Sequence, residues 1–309
     1  MSSNQEVMVT VLCLTYNHMA YIKQCLDGFL MQDTSFKFEV IVHDDASTDG
    51  TTEILKEYVL KYPDIIRPII ETENQYTKVG FSGMFLQMSR KSNGKYIALC
   101  EGDDYWTDPY KLQKQVDFLE SHPDYVMCSH KYQIYEQESN EYVNILPEIE
   151  NEKGDDFFLT DLIVGKWLVQ PLCMMCRKSA LEDKRLERYK YMIDTVFIYN
   201  LLTQGKAFCL SDTMGVYRVQ NRGIWSGKSL NEKIFMQLKA VKSICDIEKT
   251  DVAARFLLFQ FSKPISRIWL LRNVKRIIPM VNTLADFYGY AFVFKMLFRK
   301  MFFNQNVQC

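Results

Sequence analysis

No glycine-rich phosphate loop occurs in this chain of 309 residues. There is no G-x-G-x-x-G after the first strand-like run and no G-x-x-x-x-G-K-[ST] anywhere, which argues against a dinucleotide oxidoreductase and a P-loop phosphotransferase alike. Also missing is any apolar run of the roughly 18–20 residues that a bilayer-spanning helix needs. The first residues, Met1 to Glu6, carry neither the basic region nor the apolar core of a secretory signal. Internal repeats and low-complexity stretches are absent as well. The nine cysteines are odd in number and scattered, so reduced thiols in a cytoplasmic setting are expected rather than a disulfide framework. Cys13, Cys100 and Cys128 sit inside apolar runs, where a thiol packs as a small hydrophobe. Cys173 and Cys176 have C-x-x-C spacing, but no second pair accompanies them and zinc needs about four ligands. They are read as buried structural thiols.

The residues that are present are ordinary for a globular protein: 48% apolar and 24% charged. The net charge of -1 hides an asymmetry. Nine Lys/Arg against two Asp/Glu fall between Asp251 and Cys309, so the tail is strongly basic and the body acidic. The two regions are expected to meet different partners.

Strand and helix patterns alternate through the first hundred residues. Val7 to Leu14 is a nearly continuous apolar run rich in β-branched residues, which suits a parallel strand buried on both faces. Ile22, Leu26, Phe29 and Leu30 then recur at helical spacing. Phe38 to His43 is a second strand, Thr51 to Tyr62 a helix, Ile65 to Glu71 a third strand, Phe81 to Ser92 a helix, and Lys95 to Cys100 a fourth strand. Leu112 to Leu119 reads as helix, with Asp108 as its N-cap and Pro109 at its first position. Strands are predicted over Tyr125 to Tyr135, Val169 to Cys176 and Ala207 to Tyr217, an irregular acidic segment over Asn140 to Asp156, a helix over Thr195 to Gln204, and helices from Lys228 to the end. The alternation implies βαβ crossovers and a Rossmann-like, mostly parallel α/β sheet flanked by helices, with a helical C-terminal extension.

In such sheets ligands bind beyond the carboxyl ends of the strands, and three polar turns fall there. Glu101-Gly102-Asp103-Asp104 puts three carboxylates within one turn, with a glycine that lets the backbone bend sharply. Such crowding costs stability unless a cation or a set of donors sits among them. A divalent metal gripping a diphosphate would satisfy it, since Mg²⁺ and Mn²⁺ favour carboxylate oxygens. The structural alternative is an acidic loop leading into the following helix. Asp44 and Asp45 can accept hydrogen bonds from a nucleobase or ribose, or serve with Ser47, Thr48, Asp49 and Gly50 in turn and cap chemistry. Thr15, Tyr16 and Asn17 are placed in the lining of a nucleotide pocket, and His18 is read as a polar loop residue.

A strand ending in Thr-Tyr-Asn, a strand ending Asp-Asp-Ala-Ser-Thr-Asp-Gly-Thr, and then Glu-Gly-Asp-Asp-Tyr-Trp together resemble the family 2 glycosyltransferases of GT-A fold, over roughly residues 7 to 225. The resemblance implies an inverting, metal-dependent enzyme (Mn²⁺ or Mg²⁺) that takes a sugar from a nucleoside diphosphate donor, UDP-sugars being favoured. It would put Asp45 at the base, Glu101 near the ribose, Asp103 at the donor, and Asp103 with Asp104 at the metal and diphosphate. The family usually has Asp where this chain has Glu101. By the same likeness Asp194, which precedes an apolar helix, is the catalytic base, although it also suits a helix cap. Tyr217-Arg218-Val219-Gln220 resembles a family segment Tyr-Arg-x-His, with Gln220 standing where His would be. Arg218 and Arg222 are then candidates for the diphosphate and Trp225 for stacking on a sugar, each with an equal structural reading.

The tail from Phe256 to Phe303 interleaves Arg267, Arg272, Lys275, Arg276, Lys295, Arg299 and Lys300 with bulky apolar residues. That pattern fits an interfacial helix on an anionic membrane or a helical cap with a solvated basic face; nucleic acid is not expected. The division expected is a glycosyltransferase domain over 1–227, with a nucleotide-sugar half about 1–110 and an acceptor half about 111–227, followed by a helical region 228–309. The function expected is sugar transfer to a glycan or lipid-linked glycan in bacterial surface polysaccharide synthesis, at the cytoplasmic face of the membrane. A nucleotidyltransferase and an inactive sugar-binding module are the alternatives.

Overall fold

The computed structural model describes residues 6–220, 227–262 and 272–290, together with positions 292, 293, 295 and 297. Arg222, Trp225, Arg267, Arg299 and Lys300 lie outside the described residues. The chain divides into two compact units. One comprises Met1–Phe158, Trp167–Asp183 and Leu201–Gln220, the other Leu159–Lys166, Lys184–Asn200 and Asn221–Cys309, each over its described residues.

The first unit is built on a mixed sheet. Its strands are β1 (Val7–Thr15), β2 (Lys37–Asp44), β3 (Ile66–Ile70), β4 (Tyr96–Leu99), β5 (Tyr105–Trp106), β6 (Tyr125–Glu136), β7 (Glu141–Leu146), β8 (Gly154–Phe157), β9 (Met175–Arg177) and β10 (Lys206–Val219). They run in the order 3-2-1-4-9-6-10-5, with β7 paired to β6 and β8 to β10. The block β3-β2-β1-β4 is parallel, as the apolar runs imply. Helices α1 (Ile22–Leu30), α2 (Thr51–Lys61) and α3 (Tyr76–Lys91) supply its crossovers. Beyond β4 the sheet changes character: β9 lies antiparallel to both β4 and β6, while β6 and β10 are parallel to each other.

Three expectations change. Val169 to Cys176 is not one strand, because Pro171 opens a 3-10 turn over Pro171–Cys173 and leaves only Met175–Arg177 in the sheet. Asn140 to Asp156 is irregular only in its middle, over 147–153, since its ends contribute β7 and part of β8 as antiparallel partners of longer strands. The helix α4 (Lys111–Ser121) starts two residues later than Pro109, with Tyr110 in the cap position. Asp108 still works locally, accepting from the Tyr110 amide at 2.7 Å.

Lys111 is fully buried. Its ammonium donates to Gln115 Oε1 at 2.8 Å and sits 3.9 Å from the centre of the Trp106 ring. Burial pushes its pKa down to about 8. Below that pH the folded protein carries a desolvated charge, so Lys111→Met is expected to be more stable than the native chain at pH 7 by about 2 kcal/mol. Between pH 8 and 10 the unfolded lysine holds a proton that the folded one has released, so the native chain gains on the variant as pH rises. Urea titrations of both proteins at pH 7 and pH 10 measure this, and a difference independent of pH would refute it.

The second unit is helical among its described residues. Leu230–Glu248 opens on a capping box, in which Ser229 Oγ accepts from the Glu232 amide and Glu232 accepts in return from the Ser229 amide. Asp251–Ser262 and Val274–Tyr288 follow. Glu248 ties the unit together, accepting from Arg185 at 2.9 Å, Tyr189 at 2.8 Å and Tyr199 at 2.7 Å. Among the described residues no helix is long and apolar enough to cross a membrane.

Candidate active site

Register brings the three polar turns to one edge of the first unit. Thr15 at the end of β1 lies opposite Asp44 at the end of β2, and Leu12 lies opposite Leu99 of β4. The strands end together, so the turns that leave them gather there. The Gly102 amide donates to the Leu14 carbonyl at 2.9 Å and the Asp45 amide to the Thr15 carbonyl at 3.0 Å, extending both ladders into the turns. A Cβ on Gly102 would come within 2.6 Å of Thr15 Oγ1 and 2.9 Å of His18 Nδ1. Only glycine lets the acidic loop approach the first turn this closely.

Carboxylate oxygens of Glu101, Asp103 and Asp104 all lie within 4.8 Å of one another. Asp104 is 3% exposed and accepts from the Arg218 amide at 2.8 Å. Burial, then the neighbouring Asp103 charge, holds its carboxyl well above the usual carboxylate range. The cluster therefore has the chemistry of a hard-cation site: oxygen donors alone, one of them buried and short of positive charge. Two orphaned atoms sit beside it, since Thr15 Oγ1 and His18 Nδ1 are buried without a hydrogen-bond partner among the described residues. The residues present fit Mn²⁺ or Mg²⁺.

Arg218 packs against the acidic loop. It is 7% exposed, with its guanidinium 4.7–5.4 Å from the rings of Tyr21, Tyr105 and Tyr135. Its Nε donates to the Asp103 carbonyl at 2.9 Å, Nη1 to Gln137 at 2.6 Å and Nη2 to Gln24 at 2.7 Å. The side chain holds the acidic loop from beneath. Gln220, where the resemblance has His, donates to Asp103 Oδ2 at 2.7 Å and keeps a contact with the cluster.

The turn residues divide between structure and exposure. Asn17 Oδ1 accepts from the Thr48 amide at 2.8 Å, and the Asn17 and His18 amides donate to Ser47 and Thr51. Asn17 thus sews two turns together. Asp44 is buried and accepts from the Ser47 amide and the Thr52 hydroxyl. Asp45 accepts from the Gln75 amide at 2.5 Å and the Tyr76 amide at 3.1 Å, fixing the start of α3. Tyr16 is 46% exposed and presents its ring to solvent. An apolar depression lined by Leu12, Leu14, Phe81, Phe85, Leu99 and Pro171 opens beside Glu101.

His18, on the first turn, has its Nε2 3.9 Å from Asp103 Oδ2. The only sequence signal for it is its place directly after Thr-Tyr-Asn. Gln24 and Gln137 give none, being glutamines far from the motifs.

Asp194 belongs to the second unit, where it opens the helix Asp194–Leu202. The residue keeps some surface, yet its carboxyl is packed deeply enough that desolvation pushes its pKa up to about 6. The next residue, Thr195, donates to Gln237 Oε1 at 2.8 Å.

Comparison with known proteins gives concordant findings. The profile described as glycosyl transferase family 2 matches residues 10–184. An uncharacterized protein of Mycobacterium tuberculosis is 33% identical over 232 residues, 75% of this chain and 64% of that protein. The chain thus spans less than two thirds of that relative's length. A Bacillus subtilis protein named as a teichuronic acid biosynthesis glycosyltransferase, TuaG, is 26% identical over 230 residues, 73% of this chain and 84% of that one. Among solved structures, Staphylococcus aureus TarS 1-349 in complex with UDP-GlcNAc superposes with a TM-score of 0.65 over 91% of this chain and 80% of that one. At 20% identity this is a likeness of fold, and the fold is the mixed α/β sheet described above.

Proposed function

Because the chain belongs to glycosyl transferase family 2, we propose that it transfers a sugar with inversion from a nucleoside diphosphate donor to a glycan or lipid-linked glycan. The family relationship to TuaG, named for teichuronic acid biosynthesis, favours surface polysaccharide assembly as the setting. The observation that carries the reading is the convergence of Glu101, Asp103 and Asp104 at the end of β4, with Thr15 and His18 leaving orphaned polar atoms beside them.

Asp103 and Asp104 would hold Mn²⁺ or Mg²⁺, which when bound neutralises charge developing on the departing diphosphate. Glu101 is left for the ribose, and Asp45 and Tyr16 for the base, with Asp45 reaching it through oxygen lone pairs not used by Gln75 and Tyr76. Arg218 and Gln220 act as positioning residues that hold the Asp103 loop. Asp194 takes the acceptor hydroxyl proton as that oxygen attacks the anomeric carbon in a single displacement. A carboxylate lifted to about 6 is a stronger base than an exposed one while remaining ionised at neutral pH. Arg222 and Trp225 remain candidates for the diphosphate and for sugar stacking.

A panel of nucleotide sugars, incubated with Mn²⁺ or with chelator, tests the reading through release of nucleoside diphosphate. Metal-dependent release is expected. Pyrophosphate release would instead indicate nucleotidyl transfer, and metal-dependent nucleotide binding without turnover on any acceptor would indicate a binding module.

A further inference from the structure

Next to Asp194, within the second unit, lies a group of cations that the proposed reaction does not use. Lys239 Nζ is 5.2 Å from the centre of the Tyr191 ring and 4.9 Å from that of Phe235. Lys190 Nζ is 5.7 Å from Tyr191, and the Arg276 guanidinium 5.8 Å from Phe235. Among the described residues none of the three is paired with a carboxylate. Aromatic faces hold these cations without cancelling their charge. Tyr191 is 43% exposed.

Two hydrogen bonds fix this group to the segment that carries Asp194. The Lys190 amide donates to Ser243 Oγ at 2.8 Å, and Thr195 Oγ1 donates to Gln237 at 2.8 Å. Residues 190 and 195 are thus anchored to the helix Leu230–Glu248 on either side of Lys239 in sequence. Tyr191 and Asp194 are three residues apart, so their Cα atoms are separated by at most about 11 Å. A short glycan offering its hydroxyl to Asp194 would lie over this surface.

We infer that Lys190, Lys239 and Arg276, with the Tyr191 ring, form a subsite for an acidic glycan acceptor, one bearing carboxylate or phosphodiester groups. The inference rests on the acceptor role proposed for Asp194. The cations supply charge complementarity that a neutral glycan cannot use, and the exposed tyrosine supplies a flat face for a sugar ring. An anionic membrane is the less fitting partner. The exposed apolar residues of the helix Val274–Tyr288, Val274 and Ile278, stand two residues from Arg276, about 200° around the helix. Phe235 is buried, so among the described residues the exposed hydrocarbon of the patch is the Tyr191 ring alone, less than a bilayer surface would take up.

The test measures binding of the full chain to fluorescent polygalacturonate and poly(glycerol phosphate) oligomers, to neutral dextran oligomers, and to phosphatidylcholine vesicles with and without phosphatidylglycerol. Preference for one or both acidic glycans over dextran is expected, with the two acidic probes distinguishing carboxylate from phosphodiester. Affinity should weaken as the screening length falls from about 30 Å at 0.01 M salt to about 8 Å at 0.15 M. Lys239→Ala combined with Arg276→Ala should weaken that binding roughly tenfold. The control Lys242→Ala, whose ammonium already pairs with Asp246 at 2.6 Å, should change it little. Circular dichroism verifies that each variant folds, and Lys239→Gln serves if the double variant does not. Equal binding of dextran, unchanged affinity in a folded variant, or binding to anionic vesicles alone would each overturn the inference. Donor hydrolysis is read separately, so acidic-glycan binding without any donor turnover would sink the proposed function and not the subsite.

Discussion

Asp194→Asn is expected to lower the rate of sugar transfer by about 10²- to 10⁴-fold while donor binding stays nearly unchanged. The amide is isosteric and caps a helix as well as the acid does, so the helix Asp194–Leu202 should form in the variant and its melting temperature should stay close to native. The amide cannot, however, take up the acceptor's proton. The pH profile separates this role from a structural one. Desolvation raises the Asp194 pKa to about 6, and the residue acts as a base only when ionised. Transfer by the native chain should therefore climb as pH rises through about 6 and level off above it. The variant should keep a small residual rate with no step near that pH. Native-like transfer by a folded Asp194→Asn chain would remove this residue from the base role.

The acidic loop and the parallel strands are readable because their causes are local. A run such as Val7 to Leu14 is buried on both faces wherever it pairs, and carboxylates crowded after a strand need an explanation in any fold. The segments that sequence pattern misassigns depend on distant partners. β7 is exposed along most of its length although four of its six residues are apolar, and it is a strand because β6 extends beyond the core to pair with it. The 3-10 turn at Pro171–Cys173 comes from a proline in an otherwise apolar run, reinforced by the Trp106 indole donating to the Leu172 carbonyl at 2.8 Å. Within the site, residue type alone leaves most open at Arg218. An arginine near a diphosphate motif suggests a phosphate contact, yet its partners Gln24, Asp103 and Gln137 lie 81 to 194 residues away in sequence. Asp45 behaves similarly, with its oxygens accepting from amides 30 and 31 residues on. Local sequence marks these residues as polar and near the site. It does not show which of their atoms are already engaged.

Asp104→Asn should make the chain more stable without metal and less stable with it. In chelator, the native fold buries an ionisable carboxyl between Asp103 and Glu101, with the Arg218 amide as its donor. Its pKa is raised on folding, so the folded state holds a proton that the unfolded chain has lost. Native stability therefore falls as pH rises above about 4. Asparagine keeps an oxygen for the Arg218 amide and removes the charge, so at pH 7 the variant should gain about 1–2 kcal/mol over native in chelator. Adding Mn²⁺ reverses the order. A native chain that binds the ion at about 100 times its dissociation constant gains about 2.7 kcal/mol, whereas the variant has lost the most buried of the three carboxylates and should gain little. Melting curves of both proteins, with chelator and across a Mn²⁺ titration with nucleoside diphosphate present, should therefore cross. If Mn²⁺ shifts both curves equally, Asp104 is not a ligand; if it shifts neither, the acidic loop is not a metal site. The crossing is the result to look for because no purely structural role for Asp104 produces it: a residue kept for packing or capping would cost stability in both conditions when changed. A carboxylate that lowers the stability of the free protein and raises that of the loaded one is retained for its ligand.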